Sequence, residues 1–137
     1  MWLGLDFGTT NSALAISDGI RLYVFELDTD RQEVIPSLIY ISRDFEYSVG
    51  TEARTVYLKK NTGRPSRFES KEVGVIRLDV GSKGDFKQIY QAVTVLVDVL
   101  APGRLFRSIK TGLRTTNYRG SNIFGKEYTV EEIIKIF

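Results

Sequence analysis

The chain has 137 residues, 42% hydrophobic and 26% charged, with 12 glycines, 3 prolines and a formal net charge of +2. That is globular composition at single-domain length, which excludes disordered and fibrous classes and gives no electrostatic case for nucleic acid. Cysteine and histidine are both absent, which removes disulfides, thiolate chemistry, the Ser-His and Cys-His nucleophile pairs and the common zinc sites.

The absence of cysteine agrees with a reducing cytoplasm. Asp6 interrupts the first apolar run and no basic n-region precedes it, so no signal peptide is indicated. No window approaches the roughly 20 apolar residues of a membrane span. Residues 2–7 and 12–17 predict two strands joined by a Gly8-Thr9-Thr10 turn. Residues 20–27, "IRLYVFEL", alternate after Asp18-Gly19 and predict a second hairpin. "VIPSLIYIS" (34–42) and "EYSVG" (46–50) follow as strands, with Pro36 placing the first near a sheet edge. "TEARTVYLKK" (51–60) predicts a short helix with Thr51 or Gly50 near its cap.

Residues 61–84 are rich in Gly, Ser, Arg and Lys, with one strand predicted at 72–80. Phe86, Ile89, Tyr90, Val93, Leu96, Val97 and Leu100 recur at steps of three and four, which predicts a helix over 85–100. The β-branched residues there make a strand over "VTVLVDV" the competing reading. "RLFRSIKTGLR", after Pro102-Gly103, predicts a second helix or helical turn. "SNIFGKEYT" (121–129) predicts a hairpin turning at Gly125-Lys126. Thr129 and Glu132 have capping-box spacing ahead of "VEEIIKIF". A helix of barely two turns is marginal without packing, so the sequence reads as a piece of a longer protein.

"DFGTT" between two strands suits the end phosphates of a nucleotide. Gly8 allows close backbone approach and positive φ. Turn amides and the Thr9 and Thr10 hydroxyls supply donors, and Asp6 can hold a hydrated Mg²⁺. An ordinary hairpin whose Asp and Thr side chains satisfy turn amides remains open.

"GLDFGTTNSALAI" resembles the first phosphate motif of the actin-like ATPase superfamily. Within it the chain most resembles the DnaK-like, seventy-kilodalton heat-shock chaperones. "VIPSLIYI" is similar to their Pro-Ser strand and "VGTEAR" to their Val-Gly-x-x-Ala helix start. "RLFRSIKTGLR" is similar to the helix with their catalytic lysine. "FGKEYTVEEIIKIF" is similar to their hairpin and following helix, with Val130 where proline is usual. The resemblance covers residues 2–54 and 104–137 and leaves 55–103 as an insertion or diverged lobe. The stretch after Lys110 is shorter than in typical members, and their second phosphate loop, adenosine-binding segment and peptide-binding domain have no counterpart here.

The resemblance implies a mixed α/β fragment of the actin-like (ribonuclease H-like) ATPase fold, its sheet antiparallel and then parallel. Residues 1–36 and 129–137 would form a base with the phosphate turn, and 37–128 an upper lobe walling the cleft. It implies that Gly8, Thr9, Thr10 and Asn11 bind ATP or ADP at the β- and γ-phosphates. Asp6 would belong to the Mg²⁺ shell through water, and Lys110 would orient the attacking water and γ-phosphate. In-line hydrolysis needs charge neutralisation and a placed water more than covalent chemistry. ATP binding is expected to be weak in this chain alone, with clients and co-chaperones contacting other parts, no membrane partner and a cytoplasmic location.

Residues 99–126 contain no acid but carry Arg104, Arg107, Lys110, Arg114, Arg119 and Lys126. The first three would share a helix face. They suit a wall of an ATP cleft, a nucleic-acid footprint or a solvated face paired with acids elsewhere; without a stacking motif among Phe106, Tyr118 and Phe124, nucleic acid is the weakest of these. A sugar-kinase-like phosphotransferase and an actin-like filament or interaction module are the rival functions.

Overall fold

The computed structural model describes every residue except 28–29, 81–86 and 116–117. In chain order the first elements are β1 (Trp2–Phe7), β2 (Asn11–Ser17), β3 (Leu22–Val24), β4 (Val34–Pro36), β5 (Leu38–Ser42), β6 (Tyr47–Val49) and α1 (Gly50–Asn61). They are followed by β7 (Phe68–Val80), β8 (Lys87–Asp98), β9 (Gly103–Arg107), α2 (Ile109–Gly112), β10 (Gly120–Ile123), β11 (Lys126–Thr129) and α3 (Val130–Ile136). The molecule is mixed α and β, mostly strand. It divides into two compact units, Met1–Thr62 with Pro102–Phe137, and Gly63–Ala101.

In the larger unit β2 pairs antiparallel with β1, and also with β3 and β4 at different points along its length. Asp18 closes the β2–β3 turn by accepting the N–H groups of Arg21 at 2.7 Å and Ile20 at 2.8 Å. Those two bonds, Arg21's first, hold its carboxyl below the usual range. Pro36 lies on β4, whose one partner among the described residues is β2, an edge position that tolerates the missing N–H. The expected single strand over 34–42 is divided at Ser37. Beyond it, β5 enters a second antiparallel sheet between β6 and β9.

β5 is buried on both faces, which is why it reads as an unbroken apolar run. Ile39 and Ile41 join Ile109, Ile123, Tyr128 and Ile133 in the core. Tyr40 points the other way, towards α1, with its ring edge-on to Tyr57 at 6.2 Å between centroids. Gly103 makes room for it, since a Cβ there would lie 2.2 Å from the Tyr40 ring. The N-cap of α1 is Val49, one residue before the expected position. It has no side-chain capping bond, and Gly50 starts the helix at φ 61°. The capping box of α3 forms as expected, with Thr129 Oγ1 accepting from the Glu132 N–H and Glu132 accepting from the Thr129 N–H.

Two hairpin tips clasp one another against this core. Phe45 (φ 60°) and Phe124 (φ 50°) are left-handed, an unfavourable state for bulky residues. Both rings pack on the central cluster. Arg43 sits over the Phe124 ring at 4.7 Å and Lys126 over the Phe45 ring at 5.5 Å. Each tip supplies a cation to the other's aromatic ring.

Three sequence expectations are corrected. The helix over 85–100 is the strand β8, paired with β7 along its whole length; Phe86 lies outside the described residues. The three- and four-residue recurrence arose because both faces of the strand carry apolar side chains. Val93, Val95 and Val97 line one face while Tyr90 and Leu96 lie on the other. β-Branched residues settle better on a pleated surface than in a helical turn. Secondly, "RLFRSIKTGLR" is a strand followed by the four-residue α2, with Ser108 at φ 56° separating them. Arg104 and Arg107 therefore point to opposite faces of β9 and share no helix face with Lys110. Thirdly, every strand pair among the described residues is antiparallel, and the expected parallel portion is not found among them.

The smaller unit is a two-stranded ribbon in which no described side chain is fully buried. Its base is closed by Asp98, which pairs with Arg64 and accepts the N–H groups of Arg67 and Leu100 at 3.1 Å each. The Arg64 guanidinium, aided by those amides, holds the Asp98 carboxyl below the usual carboxylate range. A depressed acid stabilises the fold above its unfolded pKa, and that contribution is lost as pH falls through the folded value. The protection of the Val99 and Leu100 amides, taken relative to their intrinsic exchange rates, is therefore expected to fall selectively below about pH 4. Asp98→Asn should show the lower protection already at neutral pH, and a pH-independent pattern in both proteins would refute the assignment.

Candidate functional site

The tip of the β1–β2 hairpin brings together Asp6, Gly8, Thr9, Thr10 and Asn11. The Gly8 N–H donates to the Asn11 carbonyl at 3.0 Å. Gly8 is not left-handed, which corrects one of the two reasons given for glycine there. The other reason stands: a Cβ would lie 2.2 Å from the Asn11 carbonyl oxygen.

Gly8–Asn11 connect the strands beyond the last β1–β2 pair, Phe7 with Ser12, and neither Thr9 nor Thr10 is left-handed. A four-residue connection is most often built around a type I turn, whose central residues need no left-handed backbone. Among the described residues, the Thr9 and Thr10 hydroxyls, their backbone N–H groups and the Asp6 carboxylate take no hydrogen bond. An ordinary hairpin that uses its Asp and Thr side chains to satisfy turn amides is not what the structure contains. Its exposed tip carries four unused donors.

Asp6 stands opposite Ala13 on the β1–β2 face it shares with Gly4 and Ala15, and it is exposed. The opposite face carries Phe7 and Ser12. The Phe7 ring packs against Phe137 at 5.4 Å, and Ser12 is buried. The hairpin is thus anchored through one face while Asp6 looks out from the other.

Ser37, at the junction of β4 and β5, holds the tip from below. Its N–H donates to the Thr10 carbonyl at 2.8 Å and its Oγ donates to the Gly8 carbonyl at 2.8 Å. Ser12 Oγ lies 2.9 Å from Ser37 Oγ. Because the single Ser37 hydroxyl proton goes to Gly8, Ser12 is the donor in that pair. Both serines are about 2% exposed or less. Two buried hydroxyls inside otherwise apolar runs were the available sequence signal for these residues. The "VIPSLIYI" stretch had been read only as a strand and a resemblance.

Lys110 is not brought to the turn by any hydrogen bond or ion pair. It is half-buried on α2 beside the core residue Ile109, and its ammonium takes no partner among the described residues. A cleft of about 320 Å³ opens nearby, lined by Arg107, Ser108, Thr115 and Tyr118 among others, but not by Lys110. None of the six basic residues between 99 and 126 forms an ion pair with a described acid. Arg104 instead donates to the Asn122 carbonyl at 3.0 Å, and Lys126 lies 4.8 Å from the centre of the Tyr128 ring.

The chain is similar to two curated proteins named "Chaperone protein DnaK". The one from Burkholderia cenocepacia (strain HI2424) is 40% identical over 81 residues, covering 52% of this chain and 12% of that protein. The one from Burkholderia orbicola (strain MC0-3) gives the same figures. The chain thus spans 12% of the length of these relatives. No family model matches the chain, and no solved structure matches it. Among the described residues, no helix is long and apolar enough to cross a membrane.

Proposed function

We propose that this chain is the N-terminal part of the ATP-binding domain of a DnaK-like chaperone, with the actin-like ATPase fold that this implies. The β1–β2 tip holds the terminal phosphates of the nucleotide. The observation carrying this reading is the tip itself: two amide and two hydroxyl donors, exposed and without acceptors among the described residues. The similarity to DnaK over half the chain supports it.

In this reading Thr9, Thr10 and Asn11 bind phosphate oxygens, and Gly8 lets the backbone come close. Successive backbone amides that converge in a turn can form an anion-binding concavity. The Asp6 carboxylate, without a hydrogen bond or ion pair among the described residues, suits a hard cation held through its water shell. When bound, Mg²⁺ supplies neutralisation of the phosphate charge. Lys110 is the candidate for placing the water and the γ-phosphate, from a half-buried position where an unpaired ammonium is available. The base of residues 1–36 and 129–137 and the lobe of 37–128 belong to the same reading, with the ribbon Gly63–Ala101 as an insertion. So do a cytoplasmic location and contacts with clients and co-chaperones through other parts of the whole protein.

A titration of the ¹⁵N-labelled chain with Mg-ATP, followed by NMR, tests this directly and detects millimolar binding. The largest shift changes are expected at Gly8–Asn11. Asp6→Asn should abolish the difference between titrations with and without Mg²⁺ while leaving the fold intact. Shifts clustered elsewhere, or none at 10 mM nucleotide, would refute the reading.

A further inference from the structure

We infer that Ser37 is a positioning residue for the candidate phosphate turn, and that it sets the spacing of the donors at Thr9 and Thr10 without touching the ligand itself. The inference rests on the function proposed above for that turn. Its geometric part stands independently.

The tip has little support of its own. The β1–β2 ladder ends at the Phe7–Ser12 pair, short of the tip. The Thr9 and Thr10 side chains make no hydrogen bond among the described residues. Within the hairpin, the bond holding its end is Gly8 N–H to the Asn11 carbonyl. Ser37 adds two more from another part of the chain, 29 residues from Gly8 in sequence. Its backbone grips the Thr10 carbonyl and its side chain grips the Gly8 carbonyl, so one residue brackets Thr9 from both sides. With both carbonyls drawn towards Ser37, the intervening peptide units are held in one orientation.

Ser12 acts on a different atom. It donates to Ser37 Oγ, which orients the Ser37 lone pairs and hydrogen, but it makes no bond to the tip carbonyls. Two buried hydroxyls of similar burial therefore have separable roles. Losing either leaves a buried polar group short of a partner. Losing the Ser37 hydroxyl also frees the Gly8 carbonyl, leaving the tip tied to this residue by the backbone bond to Thr10 alone.

The position of Ser37 fits this task. It lies between Pro36, which ends β4 on the first sheet, and Leu38, which begins β5 on the second. β5 is the most buried strand of the chain. A binding turn on a hairpin is thereby tied to the rigid centre of the unit, the arrangement that precise ligand sites require.

The test compares Ser37→Ala, Ser37→Thr and Ser12→Ala by thermal melting, backbone ¹⁵N relaxation and Mg-ATP titration. Ser37→Ala and Ser12→Ala are expected to lower the melting temperature by similar amounts. In Ser37→Ala alone, the order parameters of Thr9 and Thr10 should fall from about 0.85 to below about 0.6, and Mg-ATP should bind roughly ten-fold more weakly. Ser37→Thr, which keeps the hydroxyl, should restore most of both. Should Ser37→Ala fail to fold, Ser37→Cys keeps the volume with a weaker donor and is read in its place. Equal order parameters in the two alanine variants would overturn the inference, as would unchanged affinity in a wild type that binds. If the wild type binds no Mg-ATP, the proposed function falls, while the order parameters still decide the role of Ser37.

Discussion

If the β1–β2 tip binds nucleotide as proposed, Gly8→Ala is expected to abolish that binding while leaving most of the molecule folded. The added methyl carbon would lie 2.2 Å from the Asn11 carbonyl oxygen, and backbone cannot yield as a flexible side chain would. Relieving the contact pushes Asn11 away and breaks the Gly8 N–H bond to it. It also displaces the Gly8 carbonyl from Ser37. Two constraints on the tip are thus lost through one methyl group. Overpacking of this kind costs about 1–3 kcal/mol of stability. Binding should suffer more than folding, because donors aimed at one phosphate geometry lose most of their value when misplaced. A hundred-fold loss of affinity corresponds to about 2.7 kcal/mol. In an NMR titration, Gly8–Asn11 shifts should be absent at ten times the Mg-ATP concentration that half-saturates the wild type. The resonances of β5 should stay in place, showing that the loss is local. Near-normal binding in Gly8→Ala would show that the tip is a plain turn.

The contrast between what the sequence disclosed and what it hid follows from how each element is specified. The β1–β2 hairpin, α1, the β10–β11 hairpin and α3 are encoded locally, by alternation, turn residues and a capping box, and their outlines were legible. β8 was misread because a ribbon apolar on both faces mimics helical spacing. Only its pairing with β7, a relation between distant residues, settles the matter. β9 was misread for a similar reason. Gly103–Arg107 is a strand because β5 offers it an edge, with Ile39 opposite Phe106 and Ile41 opposite Arg104. At the site, the residues at the hairpin tip were legible as a group. Their support was not, since the bonds from Ser37 to Gly8 and Thr10 cross between sheets. Nor could spacing alone show how far Lys110 stands from the turn in the network of contacts.

Ile39→Ala is expected to have the largest effect on stability of any single truncation in the chain. Ile39 is fully buried on β5. It pairs with Val49 on one side and Phe106 on the other, and packs against Ile109, Ile123 and Ile133. Its loss would leave a cavity bounded by three strands and two helices, none of which can move in without disturbing the others. Truncations of this type cost about 2–5 kcal/mol, the upper part of the range applying where the site cannot collapse. Small domains have only about 5–15 kcal/mol in total. The larger unit also carries exposed Trp2, Leu3, Leu5 and Leu22 on its first sheet, so its apolar surface is incompletely used. A loss of about 4 kcal/mol should therefore lower the urea midpoint by more than 1 M. Val95→Ala, on the ribbon at 42% exposure, serves as the comparison and should cost under about 1 kcal/mol. Because Ile39 follows Ser37 by two residues, at the start of β5, its removal should also loosen the tip. If Thr9 and Thr10 keep their order parameters in an Ile39→Ala protein that is still folded, the turn is supported by its own hairpin and not by the core beneath it.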